Sequence, residues 1–152
     1  MKKLSSIESF NIIGISVRTI NSGGQAGIDI KKLWDKWFSE NCSSKISNKM
    51  NDDIINLYTD YDSDEYGYYT TIVGNKVTDL ESIPEGFVGK YIPATNYEKF
   101  ISKGKLPECV LNTWETIWKS KNNRIYIADF DVYRLEEMNP ENAIVETFVS
   151  VI

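Results

Sequence analysis

The sequence contains no histidine. This absence excludes serine or cysteine triads of the usual kind, histidine-ligated zinc and histidine acid–base catalysis. The only two cysteines, Cys42 and Cys109, fit no metal-binding or redox spacing. We therefore predict neither a metal nor a cofactor. Any chemistry would have to come from carboxylates, tyrosines, lysines or bound water.

Basic residues and long apolar runs are also scarce. The 17 lysines and arginines are outnumbered by 22 acidic residues, giving a net charge of −5 without a basic stripe. Direct nucleic-acid binding is therefore not expected. The polar residues after Met1 do not form a signal peptide, and no apolar run has transmembrane length. The default expectation is a cytoplasmic protein with reduced thiols and no membrane partner.

Length and composition predict one globular domain over residues 1–152. Hydrophobic residues make up 41% of the chain and charged residues 26%, which is typical of a folded soluble domain. A break at residues 79–86 divides it into half-repeats at about 1–80 and 84–152.

Two loop segments resemble ligand-binding motifs only in part. The glycine-rich segment 18–27 lacks the spacing of a phosphate-binding loop. Asp60, Asp62 and Asp64 have the first three spacings of an EF-hand, but Glu65 replaces its glycine and Thr71 its final glutamate. We interpret this segment as an acidic hairpin loop.

Two segments have the apolar periodicity of an amphipathic helix. One is predicted at about residues 29–40 and the other from Pro107, ending in the polar residues 119–123. Aromatic stripes of this kind usually belong to the core, so both helices are expected to pack on one sheet with Trp34 and Trp114 largely buried. The stripes consist of Ile30, Leu33, Trp34, Trp37 and Phe38, and of Val110, Leu111, Trp114, Ile117 and Trp118.

The second helix is followed by a predicted strand over residues 125–133, whose side chains alternate between two faces. Tyr126, Ala128, Phe130 and Val132 form an apolar core face. The other face ends in Asp129, Asp131 and Tyr133. These two carboxylates and the phenol are either solvated or line the polar part of a cavity, and the pattern leaves both alternatives open.

The predicted elements follow the order strand–helix–strand–strand twice. We predict an α+β fold with pseudo-twofold symmetry, in which two helices pack on an antiparallel sheet and a cleft lies where the halves meet. Residues 93–106 are interpreted as a connection. The predicted strands are 10–17, 54–59, 66–73, 87–92, 125–133 and 143–152.

The chain resembles the GyrI-like, or AraC-type, effector-binding superfamily, especially its stand-alone integron-cassette drug-binding and transcription-regulator effector-binding members. The resemblance rests on FNIIGISVRTIN, IDIKKLWDKWF, IINLYTDYDSDEYGYYTTIVG and PECVLNTWETIWKS…YIADFDVY, and covers nearly the whole chain. It implies an aromatic pocket between the halves, with an acid that often accepts lipophilic or amphipathic cations. The family typically ends this strand with Glu-x-Tyr, whereas here Asp131 precedes Tyr133.

The main hypothesis is therefore that the protein binds a small molecule in this pocket. A partner protein or a regulator is a further possible partner. A hydrolase of small electrophilic compounds, using Asp131 and Tyr133, is the second hypothesis. A gyrase-inhibitor-like interaction module, using the acidic segment from Asp60 to Glu65, is the third. No residue is assigned as catalytic, and any one of the candidate tyrosines could instead belong to the surface or the core. The candidate ligand-binding residues are Tyr58, Tyr68, Tyr69, Trp114, Glu115, Asp131, Tyr133 and Phe148.

Overall fold

The computed structural model describes residues 4–120 and 123–152. These residues form eight strands in one antiparallel sheet, together with two α-helices, in the sheet order β1-β6-β8-β7-β3-β4-β2-β5. The predicted α+β class is confirmed. The elements are β1 Leu4–Ile7, β2 Phe10–Ile20, α1 Gln25–Ser39, β3 Ile54–Thr59, β4 Tyr68–Val77, β5 Val88–Ile92, β6 Thr95–Gly104, α2 Glu108–Lys119, β7 Arg124–Tyr133 and β8 Ala143–Val151.

The sheet order shows the duplication directly. The unit β2-α1-β3-β4 corresponds to β6-α2-β7-β8, and the two units meet where β3 pairs with β7. The direct partners at the centre of this pair are Asn56 and Asp131. The pseudo-twofold axis therefore passes through the middle of the sheet, beneath the gap between the two helices.

The prediction that residues 93–106 form a connection is wrong. Most of this segment is β6, a ten-residue strand that pairs with β8 and with the edge strand β1. The predicted first strand of the second half is instead β5, which pairs with β2 at the opposite edge. The usual hydrophobic alternation is disrupted in β6, since Glu98 and Ser102 are buried whereas Ile101 is 50% exposed.

Both helices are confirmed, with small shifts at their ends. α1 begins at Gln25, four residues before the predicted start, because the apolar stripe used for the prediction begins only at Ile30. Gly24 precedes it with a φ of 73°, a backbone conformation that glycine adopts without strain. α2 begins after Pro107 and ends at Lys119, and residues 121 and 122 of its predicted polar end lie outside the described residues. No helix in the described ranges is both long and apolar enough to cross a membrane.

The sheet buries apolar side chains on both faces. One face carries the two helices, and the other curls around a separate aromatic cluster. The curl brings the rings of Phe10 and Phe130 within 5.3 Å, although their strands are separated by two others. Phe148 stacks on Phe130 at 5.0 Å in this second cluster. Its predicted place in the cleft is wrong, because direct pairing with Phe130 puts both side chains on the far face.

A candidate ligand-binding cleft between the helices

A cavity of about 800 Å³ lies between α1 and α2, above the central strands. It exists because α1 packs mainly against β2 and α2 against β6, and four strands separate β2 from β6 in the sheet. The helices therefore leave β3 and β7 uncovered between them. The aromatic side chains that line the cavity are Trp34, Phe38, Tyr58, Tyr61, Tyr69, Trp114, Trp118 and Tyr133.

The apolar helix stripes form the walls of this cavity as well as the core. Trp37 and Ile117 are buried against the sheet, as the periodicity predicts. Phe38, Leu111 and Trp118 line the cavity and are 58%, 53% and 39% exposed. Each stripe is thus wider than the sheet surface beneath it, and its remaining edge faces the cleft.

The centre of the cleft contains two crossed aromatic pairs. Trp34 of α1 packs edge-on against Tyr133 of β7, with ring centroids 4.8 Å apart. Trp114 of α2 packs in the same way against Tyr58 of β3 at 5.2 Å. Each helix tryptophan therefore contacts a tyrosine of the other half, which couples the two repeats through their aromatic side chains.

The two indoles also donate hydrogen bonds to the middle of the sheet. Trp34 Nε1 lies 2.9 Å from Asn56 Oδ1, and Trp114 Nε1 lies 3.2 Å from Asp131 Oδ1. The two acceptors are direct cross-strand partners. The floor of the cleft is therefore symmetric in shape and asymmetric in charge.

Asp131 has no exposed surface and lies beneath the aromatic wall. Its carboxylate accepts hydrogen bonds from Tyr58 Oη at 2.7 Å, from Trp114 Nε1 and from Thr147 Oγ1. Burial raises the pKa of Asp131 to about 6, although these three hydrogen bonds oppose the rise. The alternative that Asp131 is a solvated residue at the end of its strand is therefore excluded. The side chain influences the cavity through its charge and through the two aromatic groups that it orients.

Asp129 is the second buried carboxylate on this face of the sheet. It accepts hydrogen bonds from Tyr61 Oη at 2.5 Å, from Arg124 Nη2 at 2.9 Å and from the backbone N–H of Ser150 at 2.8 Å. Burial and the neighbouring Asp129 charge hold the pKa of Tyr61 well above its usual value, so the phenol remains a neutral donor. Solvation is excluded for this acid too.

Arg124 joins Asp129 to the β3–β4 loop. Its Nη1 lies 3.7 Å from a carboxylate oxygen of Glu65, which also accepts a hydrogen bond from Tyr126 Oη. The guanidinium carbon lies 4.3 Å from the centre of the Tyr126 ring. We call this end of the cleft the polar corner, formed by Tyr61, Glu65, Arg124, Tyr126 and Asp129.

The placement of Tyr126 corrects the predicted face of β7. Its φ of 56° marks an irregularity, and the pairing of β7 with β8 shifts register between Arg124 and Asp129. The bulge interrupts the simple alternation and places the Tyr126 ring 5.4 Å from that of Tyr61. Tyr126 therefore does not share the far face with Phe130, as the uninterrupted pattern predicts.

Five of the predicted site residues are brought together here. Tyr58, Tyr69, Trp114 and Tyr133 line the cavity, and Asp131 lies directly beneath them. The same geometry confirms that Trp114 is largely buried, at 8% exposed. Whether these side chains contact a ligand remains a prediction.

Two further predicted residues lie outside the cavity. Tyr68 is 51% exposed, because it precedes Tyr69 in β4 and points to the opposite face. Glu115 is exposed on α2 and does not line the cavity, because the residue after Trp114 projects about 100° further around the helix. The assignment of either side chain to the cavity wall is wrong.

Sequence reasoning missed several cavity residues. Trp34 was expected in the core, but it is only partly buried and forms part of the wall. A usable signal was present, since Trp34 and Phe38 have the same helical spacing as Trp114 and Trp118. No local signal identified the polar corner, whose residues come from distant parts of the chain.

The acidic segment before Glu65 forms a loop between β3 and β4, as predicted. Much of its charge is paired within the chain. Asp60 forms an ion pair with Lys90 at 2.7 Å, and Asp62 pairs with Arg18. This surface is consequently less acidic than its sequence suggests.

A duplicated α+β domain with an aromatic cleft between its helices has the architecture of an effector-binding domain. The chain belongs to the Cass2 family, described as integron-associated effector binding protein, whose model matches residues 3–151. YobU of Bacillus subtilis (strain 168), which bears a transcriptional-regulator name, is 31% identical over 126 residues, covering 80% of this chain and 79% of YobU.

Solved structures agree with this assignment. The integron cassette protein VCH_CASS2 from the mobile metagenome of Vibrio cholerae is 26% identical, with a TM-score of 0.78 over 99% of this chain and 95% of that chain. SAV2435, solved with tetraphenylphosphonium, has a TM-score of 0.80 at 18% identity, over 100% of this chain and 94% of that chain. Family membership supports a small-molecule-binding or regulator-associated role.

Proposed function

We propose that the protein binds a lipophilic aromatic small molecule, preferentially a cation, in the cleft between α1 and α2. The observation that carries this proposal is the wall of eight aromatic side chains above the buried carboxylate of Asp131. Such a wall favours flat or globular apolar ligands through burial of their surface, at about 25 cal/mol per Å². Each well-placed cation–π contact adds roughly 0.5–2 kcal/mol.

The charge beneath the wall supports the preference for a cation. Asp129, Asp131 and Glu65 carry three carboxylates, while Arg124 carries one guanidinium close to Asp129. Lys31 also lines the cavity, but its ammonium is paired with Asp35 at 3.0 Å. A cationic ligand therefore compensates charge that the protein leaves in excess.

Binding is proposed in preference to catalysis because of how Asp131 is held. Its described hydrogen-bond partners all donate to it, and none of its surface is exposed. A carboxylate in this position would have to leave three donors before it could remove a proton from a substrate.

Tetraphenylphosphonium and tetraphenylborate provide a test of both halves of the proposal. The two ions have nearly the same shape and opposite charge, and the former is the ligand named for the related SAV2435 structure. Each ion is titrated against the protein at pH 7.5, with tryptophan fluorescence and thermal shift as readouts. We expect both to bind and the cation to bind at least about tenfold more tightly. Equal affinities would contradict the preference for cations, and failure of both to bind would contradict the cleft as a site for aromatic ligands.

A further inference from the structure

Arg124 retains unused hydrogen-bonding capacity. Its side chain is only 5% exposed, lines the cavity and donates from Nη2 to Asp129. Its Nε and Nη1 are buried and have no hydrogen-bond partner within residues 4–120 and 123–152. Buried donors without acceptors are uncommon and energetically unfavourable in native proteins.

The guanidinium is held firmly by its neighbours. Asp129 accepts one of its hydrogen bonds at 2.9 Å, and the Tyr126 ring packs on its face at 4.3 Å. Glu65 balances part of its charge, but 3.7 Å from Nη1 is too long for a hydrogen bond. The Glu65 carboxylate is instead engaged by the Tyr126 hydroxyl. The free donors are therefore preorganised at one end of an aromatic cavity.

We propose that the polar corner is a subsite for a neutral hydrogen-bond acceptor of the ligand, a carbonyl or comparable oxygen bound by Arg124 through Nε and Nη1. This inference rests on the proposed function, because it places the aromatic body of the same ligand against the indoles. It adds a recognition element that the aromatic wall does not supply. Because Nε and Nη1 are buried in this structure, the side chains that cover them must move before the acceptor can reach the guanidinium.

The charges around Arg124 select a neutral acceptor rather than an anion. Asp129 already balances the guanidinium charge, and Glu65 and Asp131 add two further carboxylates nearby. An anionic group in this corner would face a surplus of negative charge. A cationic group would directly face the guanidinium. A neutral oxygen satisfies the donors without either repulsion.

Benzophenone and diphenylmethane test the subsite, because they share two phenyl rings and differ by a carbonyl in place of a methylene. Their affinities are measured by displacement of Nile red, whose own affinity is determined for each protein. We expect the parent protein to bind benzophenone about tenfold more tightly, as for a hydrogen bond to a charged donor. Diphenylacetate, an anion of similar size, should bind more weakly than benzophenone.

Arg124→Lys retains the positive charge beside Asp129 but removes the planar Nε and Nη1 donors. In this variant we expect the ratio of the two affinities to fall to about twofold or less. Arg18→Lys is the matched control, since Arg18 is an exposed residue of β2 that lies outside the cavity and donates to Asp62 in the β3–β4 loop. It should preserve the parent ratio. An unchanged ratio in Arg124→Lys, equal affinities in the parent, or tighter binding of diphenylacetate would overturn the subsite.

A second measurement does not depend on whether Arg124→Lys folds. Benzophenone labelled with carbon-13 at its carbonyl is bound to the parent, and the carbonyl stretch is recorded by difference infrared spectroscopy. Hydrogen bonding to Arg124 should move the band to lower wavenumber than in hydrocarbon solvent, and an unshifted band would overturn the subsite. If tetraphenylphosphonium binds while benzophenone does not, the subsite fails and the proposed function stands. If no aromatic probe binds, the proposed function itself fails.

Discussion

The equivalent tryptophans of the two halves donate hydrogen bonds to chemically different acceptors. Trp34 donates to the neutral amide of Asn56, whereas Trp114 donates to the carboxylate of Asp131. The two acceptors face each other across the pseudo-twofold axis. Duplication therefore accounts for the shape of the cleft, while one amide-to-carboxylate difference accounts for the charge at its centre.

The difference extends to the threonine beneath each acceptor. Asn56 donates from Nδ2 to Thr71 Oγ1 at 2.7 Å. In the other half Thr147 donates its hydroxyl proton to Asp131. The direction reverses because an amide both donates and accepts, whereas a carboxylate only accepts. In each half the threonine hydroxyl therefore takes the donor or acceptor role that its Asn or Asp partner requires.

The largest expected effect concerns the two tryptophans. Trp114→Ala should reduce the free energy of unfolding by roughly 3–5 kcal/mol, because it removes a buried aromatic and one donor to Asp131. Trp34→Ala should cost clearly less, about 1–2 kcal/mol, because Trp34 is only partly buried at the cavity wall. Urea unfolding measures both. Equal losses would show that the halves contribute symmetrically to stability despite their different burial.

The second prediction concerns the pH dependence of stability. Because burial raises the pKa of Asp131 to about 6, the folded state binds a proton more tightly than the unfolded state. The stability associated with this proton is fully present below the unfolded-state pKa of about 4 and is lost as pH rises through about 6. The rise in this pKa from 3.8 to about 6 corresponds to roughly 3 kcal/mol of unfolding free energy.

Asp131→Asn should remove this component of the pH dependence, and chemical unfolding at several values between pH 4 and 7.5 measures it. Asp35→Asn provides a control, because Asp35 is an exposed acid paired with Lys31 on α1. The parent slope should persist in that control. A parent-like slope in Asp131→Asn would contradict the pKa shift.

A third, smaller effect concerns ligand charge. Tetraphenylphosphonium should bind the parent several-fold more tightly at pH 7.5 than at pH 5, because ionised Asp131 attracts the cation. Asp131→Asn should lose most of this pH dependence and give the second half the neutral acceptor found in the first. Fluorescence titrations at both pH values decide the matter. Superimposable parent and variant profiles would assign the attraction to other groups.

The smallest effect concerns the rim of the cleft. Phe38→Ala should weaken tetraphenylphosphonium binding by about two- to threefold, because Phe38 lines the cavity beside Trp34. Tyr68→Ala is the matched control, since Tyr68 is similarly exposed but lies outside the cavity. It should leave affinity unchanged. Equal losses in both variants would place the ligand somewhere other than the cleft.

Local periodicity was sufficient to predict both helices and the α+β class, whereas the aromatic pocket was implied by the family resemblance. The stripes through Trp34 and Trp114 repeat at helical spacing, and the strand that ends in Asp131 and Tyr133 alternates regularly over its last residues. Such patterns depend only on neighbours in the chain, so they can be read without knowing the partners of each element. Strand β6 was missed because its buried positions include Glu98 and Ser102.

The tertiary structure alone decided the roles of the polar side chains. The register of β3 against β7 places Asn56 beside Asp131. The bulge at Tyr126 brings the Tyr126 ring to the same side of the sheet as Tyr61, next to Arg124 in the polar corner. Glu65 reaches Arg124 from almost sixty residues away in the chain. Sequence therefore determined which segments are amphipathic, because amphipathicity is a local property. Only the fold could determine which carboxylates are buried and which donors remain free, because hydrogen-bond satisfaction depends on groups that meet across strands.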